Sequence, residues 1–259
     1  MDIAGARILV TGASSGIGAA LAPLLAARGA VVGIVARRRD RLEQVLARCR
    51  EHSPGSAAFV ADLSDLDRAV AVVDDAWEAL GGIDVLVNNA AMPKRRSVTA
   101  LRPEEVDEVM RLNFTSPVRM TLALLPRLLA RDTGMIVNVS SLGGRLGIAH
   151  EAAYCASKFA LAGWSEAMAI DLWDTGVQVR LVLPGPVDTE IWDQPSSDPP
   201  LYHGPLEPPA TVAEAIVAAI EGDRFETYAP DLRSVVEFKT ADIDAFLEGS
   251  AAMGREQAG

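Results

Sequence analysis

The sequence predicts an α/β fold, a parallel sheet with helices on both faces, and three observations carry that prediction. Short apolar runs rich in β-branched residues alternate with longer helical stretches from residue 7 onward. A glycine-rich turn separates the first such run from the first helical stretch. Small and polar residues then recur just after later apolar runs, at the edge where open α/β sheets bind ligands.

The elements follow in order. Arg7-Ile8-Leu9-Val10 reads as the first strand, and residues 19–28 as a helix closed by Gly29. Residues 31–35, 58–61, 84–87, 135–139 and 177–183 continue the strands, and 226–229 reads as the last. Helical patterns lie between them over residues 39–50, 65–80, 103–130 and 152–173. No composition break divides the chain before residue 190, so residues 1–259 read as one domain.

Composition narrows the function. A content of 49% hydrophobic and 23% charged residues supports a sizeable core. A formal charge of −11 argues against nucleic acid and against anionic membrane surfaces. No run is long enough to span a bilayer, and the first seven residues show no signal-peptide pattern. Cys49 and Cys155 are isolated, lack metal-ligand spacing and read as reduced buried groups, so no metal is expected. A cytosolic protein is the resulting expectation.

The chemistry centres on Tyr154-Cys155-Ala156-Ser157-Lys158, within a helical run. Residues four apart share a helix face, so the Tyr154 hydroxyl and the Lys158 ammonium can serve one site. A nearby cation favours the phenolate and makes tyrosine a usable proton donor and acceptor. Alone, such a pair is common on exposed helices, and it requires a cofactor site in the same chain.

Thr11-Gly12-Ala13-Ser14-Ser15-Gly16-Ile17-Gly18 supplies that site. Glycines permit a tight turn and close backbone approach to a pyrophosphate, and the following helix offers unpaired N–H groups. After the second strand, Ala36-Arg37-Arg38-Arg39 presents no acid until Asp40. A carboxylate there would bind the ribose of NAD, whereas arginine accommodates the 2′-phosphate of NADP. Cations are unfavourable at a helix start, and a phosphate resolves the mismatch. Asp62 and Leu63 stand where an adenine edge could be met, although Asp62 could equally be a cap. Asn88-Asn89-Ala90-Ala91, Ser140-Ser141 and Pro184-Gly185-Pro186-Val187-Asp188-Thr189 leave later strands at the same edge.

With these residues assembled, the chain resembles the classical short-chain dehydrogenases/reductases, over roughly its first three-quarters. The resemblance implies a single doubly wound Rossmann-type domain. Thr11-Gly12-x-x-x-Gly16-x-Gly18 is similar to the family's cofactor turn, and Asn88-Asn89-Ala90 to its structural Asn-Asn-Ala-Gly motif. Asn113, Ser141, Tyr154 and Lys158 look like its catalytic tetrad, the usual spacing selecting Ser141 over Ser140. Gly12, Ser14, Ser15, Gly16, Ile17, Gly18, Arg37, Arg38, Asp62, Leu63, Asn89, Ala90, Tyr154 and Lys158 are the implied cofactor contacts. Pro184, Gly185, Val187 and Thr189 resemble the segment that holds the nicotinamide carboxamide.

The implied reaction is NADP(H)-dependent: hydride transfer between the nicotinamide and a ketone or secondary alcohol. Tyr154 exchanges the proton, Ser141 bonds the substrate oxygen, Lys158 lowers the Tyr154 pKa, and Asn113 holds a relay water. Competing readings are a non-catalytic NADP-binding sensor on the same fold, and an NAD-dependent alcohol oxidation.

Ala91 departs from the family's glycine, and the chain continues past the family's shortest members. Residues 190–209, proline-rich and holding Trp192, Leu201 and Tyr202, read as a substrate loop. Residues 231–259 form a C-terminal extension whose apolar residues need cover, on its own subunit or a neighbour. Lys94-Arg95-Arg96 reads as a solvated loop near the pocket mouth, and His150 and Glu151 as pocket lining or helix cap. The family commonly pairs helices across a two-fold axis. Leu112, Leu122, Leu125 and Leu129 can supply that face, giving a homodimer or homotetramer.

Overall fold

The computed structural model describes residues 1–258; the side chains at 253 and 255–258, and Gly259 at the end of the C-terminal extension, lie outside the description. Among the described residues there are seven strands: β1 (Arg7–Thr11), β2 (Val31–Ala36), β3 (Ala57–Val60), β4 (Val85–Asn88), β5 (Gly134–Val139), β6 (Val177–Pro184) and β7 (Glu226–Ala229). All pair in parallel in the order β3-β2-β1-β4-β5-β6-β7. Strand order reverses between β1 and β4, and the carboxyl ends at that point frame a crevice for a ligand.

The helices are α1 (Gly16–Ala27), α2 (Arg39–Arg50), α3 (Leu66–Leu80), α4 (Pro103–Met110), α5 (Ser116–Arg131), α6 (Ala152–Asp171), α7 (Pro209–Glu221), α8 (Arg233–Ala241) and α9 (Ile243–Ala258). Alternation along each strand divides them between two faces. Ile8, Val10, Val32, Ile34, Val85 and Val87 pack with α1, α2 and α7. Leu9, Val35, Leu86 and Ile136 pack with α3, α5 and α6. Among the described residues no helix is long and apolar enough to cross a membrane.

One expected element is corrected. The single helix over residues 103–130 is two helices joined by a π-turn at Arg111–Thr115, where the Ser116 N–H bonds the Arg111 carbonyl. Pro117 has no N–H to offer the Asn113 carbonyl, so the regular i→i−4 ladder cannot run through this stretch. Asn113 completes the turn from its side chain. Its Oδ1 accepts from the Met92 N–H at 2.9 Å, and its Nδ2 donates to the Met92 carbonyl at 2.9 Å and to Ser157 Oγ at 3.1 Å.

Candidate active site

The turn after β1 is built for close backbone approach. Gly12 has φ +69°, and a Cβ there would stand 2.7 Å from the Ala90 Cα. Gly16 has φ +53°, and a Cβ would meet Thr189 Cγ2 at 2.8 Å. Gly18 lies behind the turn, where a Cβ would stand 2.5 Å from the Gly12 carbonyl oxygen. Thr11 Oγ1 accepts from the Asn89 and Ala90 N–H groups at 2.9 and 3.0 Å, and Asn89 Nδ2 donates to the Thr11 carbonyl at 2.9 Å. Asn89 and Ala90 thus lock the exits of β1 and β4 together.

A cleft runs along this turn, lined by Gly12, Ser14, Ser15, Gly16, Ile17, Arg37, Arg38, Asp62, Leu63, Asn89, Ala90 and Thr189. Its donors suit a dinucleotide. Ser15 caps α1 without a side-chain bond and the first turn of α1 carries no acid, so the helix N-terminus offers its N–H groups and dipole to an anion. Arg38 donates to Ser15 Oγ at 2.7 Å and to Ser14 Oγ at 3.3 Å. The Arg37 guanidinium lies 3.8 Å from Asp62, whose carboxyl is held below its usual range despite burial by bonds from Ser64 and by Arg37. The Asp62 carboxylate accepts from the Ser64 N–H at 2.9 Å in a local turn, and the cap of α3 is Asp65, which accepts from the Asp67 and Arg68 N–H groups.

The cleft adjoins a cavity of about 440 Å³. Ser141, Tyr154, Lys158, Pro184, Gly185 and Val187 line it, with Leu142, Leu146, Ile148, Trp192, Leu201 and Tyr202 as apolar walls. Val235 and Phe246 from the C-terminal extension close one side. That extension therefore lies over its own subunit's cavity. Glu151 lines this cavity too, and burial raises its carboxyl against the opposing influence of Arg95.

The two serines after β5 are separated by their bonds. Ser140 Oγ donates to the Lys158 carbonyl at 3.0 Å, facing α6. Ser141 Oγ accepts from the Gly143 N–H at 3.0 Å, and the residue lines the same cavity as Tyr154. Lys158 is 2% exposed; its Nζ donates to the Val139 carbonyl at 3.0 Å and stands 5.8 Å from the Tyr154 ring centroid.

Burial dominates the electrostatics of the Tyr154–Lys158 pair. Burial pushes the Tyr154 phenol above its ordinary value, Ser141 offsets part of this, and Glu151 and Cys155 add to it. Burial also pushes Lys158 down to about 7. Removal from water disfavours the charged form of each group. Burial thus favours the neutral, proton-donating phenol.

The structure brings together all the sequence-derived site residues except two. Gly18 supports the turn from behind, and the Asn113 carboxamide is taken up by Met92 and Ser157. Lys94-Arg95-Arg96 is not a solvated loop: Lys94 and Arg95 are 4% and 3% exposed. Residues missed from the sequence include Glu190, which accepts from Arg38 Nη1 at 2.6 Å, and Arg41, which also pairs with it. Separated from Arg38 by 152 positions, Glu190 leaves no local signal of that contact.

A parallel sheet whose switch point holds a glycine-lined cleft, leading to half-buried Ser141 and Tyr154 beside a buried Lys158, defines a nucleotide-binding oxidoreductase of Rossmann type. Residues 6–200 match the short chain dehydrogenase family, and the chain belongs to it. It is 32% identical over 248 residues to nodulation protein G of a Rhizobium species, covering 96% of this chain and 94% of that one. It is 34% identical over 191 residues to a 3-oxoacyl-(acyl-carrier-protein) reductase of Vibrio cholerae, covering 74% and 77%. Among solved structures, a short chain dehydrogenase of Burkholderia cenocepacia in complex with NADP superposes with a TM-score of 0.82 at 28% identity, covering 96% and 99%. A Burkholderia phymatum family member in complex with NAD shares the fold, with a TM-score of 0.85 at 23% identity and coverage of 95% and 96%.

Proposed function

We propose that the chain is an NADP(H)-dependent reductase of small, apolar ketones, running in reverse on secondary alcohols. The observation that carries this reading is that Ser141, Tyr154 and a buried Lys158 line one largely apolar cavity that opens from the nucleotide cleft. When bound, the nicotinamide supplies or accepts the hydride.

The chain's residues do the rest. Ser141 and Tyr154 bond the substrate oxygen, where negative charge develops, and Tyr154 gives that oxygen its proton. Lys158, held by the Val139 carbonyl, positions its ammonium beneath the tyrosine ring and is the group through which the proton is replenished. Asn113 fixes the π-turn behind them. The apolar walls exclude water and favour a substrate without charge.

Arg37 and Arg38 at the end of β2 support NADP(H) over NAD(H). Pro184, Gly185, Val187 and Thr189 hold the carboxamide end of the cofactor in this reading. The 190–209 loop and the C-terminal extension cover the substrate within one domain. Leu122 and Leu129, 51% and 40% exposed, give α5 an apolar outer face that supports a homodimer. Leu112 and Leu125 instead pack partly against the core. The assembly is taken to be cytosolic.

Screening purified protein against a panel of ketones, with NADPH and NADH oxidation followed separately, tests the reading. NADPH oxidation with hydrophobic ketones is the expected result. Absence of turnover with either cofactor across the panel contradicts it.

A further inference from the structure

The segment leaving β6 meets the cofactor cleft through one side chain. Glu190 Oε2 accepts from Arg38 Nη1 at 2.6 Å, and its other carboxylate oxygen pairs with Arg41. Arg38 reaches on to the hydroxyls of Ser15 and Ser14. One carboxylate, two guanidinium groups and two hydroxyls therefore close a network across the cleft wall. Arg38 is the N-cap of α2 and Arg41 lies in its first turn, where the helix dipole disfavours cations. Glu190 supplies the negative charge that this arrangement needs.

The network is held loosely. Arg38, Arg41 and Glu190 side chains are 45%, 47% and 43% exposed, so water screens their attraction. A phosphate monoester brings about two charges and three acceptor oxygens to the same guanidinium groups, against one carboxylate.

We propose that Glu190 is a cofactor-specificity residue. Its carboxylate occupies the anion position on Arg38 and Arg41, a 2′-phosphate has to displace it, and an unphosphorylated ribose leaves it in place. This inference rests on the NADP(H) reading above. It also limits what cofactor binding releases. The stretch beyond Glu190 is tied down separately, by Arg95 bonds to the carbonyls of Ile191, Trp192 and Asp198. Displacement therefore frees the start of the loop and leaves its remainder on the cavity.

Calorimetric titration of the full chain with adenosine 2′,5′-bisphosphate and with ADP tests the proposal. Glu190→Gln keeps the side-chain size and the Gln194 bond to the residue-190 carbonyl, and removes only the charge. Asp193→Asn, an acid on the same loop without a bond to Arg38, controls for general charge. Wild type is expected to prefer the 2′-phosphorylated ligand. Glu190→Gln is expected to bind that ligand about tenfold tighter, from loss of a charge-assisted competitor. ADP affinity should stay unchanged, which also reports an intact fold, and Asp193→Asn should change neither. Unaltered or weaker 2′,5′-bisphosphate binding by Glu190→Gln, with the wild-type preference intact, overturns the role of Glu190 alone. Equal tightening by Asp193→Asn also overturns it. A wild type without preference between the two ligands overturns the NADP(H) reading itself.

Discussion

The Lys94 ammonium and the Glu105 carboxylate stand 2.8 Å apart, with side chains only 4% and 3% exposed. Arg96 joins the same carboxylate at 3.1 Å, and Lys94 also donates to the Ser196 carbonyl at 2.9 Å. Lys94 and Arg96 thus clamp the 190–209 loop to the start of α4. Lys94→Met leaves Glu105 with a weakened partner set and the loop without one anchor. Thermal unfolding should shift to lower temperature. Substrate KM should rise several-fold while nucleotide affinity stays unchanged, as titration and steady-state kinetics will show.

The same pair sets an acid limit. Hydrogen bonds from Lys94 and the Arg102 N–H, then the charges of Lys94 and Arg96, pull the Glu105 carboxyl from 4.5 to about 2. Between those values the unfolded chain holds more protons than the folded one, so stability rises with pH across that window. The contribution is complete above 4.5 and is lost as pH falls through about 2. Urea unfolding midpoints measured across this range should fall more steeply for wild type than for Glu105→Gln. Parallel slopes contradict the assignment.

Glycine positions separate strain from space. At Gly12, alanine pays about 1–2 kcal/mol for left-handed backbone and also drives its Cβ against the Ala90 backbone. Gly12→Ala should lose nucleotide binding. Gly163, inside α6, has nothing within 4 Å of an added Cβ. Gly163→Ala should instead stabilise the protein by about 0.5–1 kcal/mol, read from denaturant midpoints.

The C-terminal extension reaches the cavity through Val235, Phe246, Ser250 and Gly254. Phe246 is 9% exposed, although Phe238 and Leu247 on the same extension are more than half exposed. A chain ending at Asp231 should retain nucleotide affinity and lose substrate affinity, with its assembly unchanged by light scattering. Phe246→Ala should raise substrate KM in the same direction. A fall to a smaller oligomer with unaltered kinetics would make the extension an interface instead.

The sheet and the nucleotide turn were legible in the sequence because their signals are local. Strand–helix alternation, a glycine turn between β1 and α1, and Tyr154 four residues before Lys158 each lie within a short window. Strand boundaries shifted by a residue or so, as at β4, where Asp84 gave way to Asn88. What was not legible depends on contacts between distant segments. Lys94-Arg95-Arg96 looks solvated until residues 190–198 fold over it, and Glu190 meets Arg38 only across the finished cleft. The π-turn at Asn113 was hidden inside a good helical pattern, although Pro117 carried a signal that the ladder would fail. The upward push on the Tyr154 phenol and the downward push on Lys158 come from burial, which the sequence does not show.

The central claim is that Tyr154 transfers the proton in a nicotinamide-dependent carbonyl reaction. Tyr154→Phe removes the hydroxyl and leaves the ring and its neighbours in place. NADPH oxidation with the best ketone of the panel, compared between wild type and Tyr154→Phe at saturating cofactor, tests it most directly. The account predicts that kcat falls by about 100-fold or more, with NADPH affinity unchanged by direct titration. A Tyr154→Phe protein that turns over as fast as wild type would contradict it.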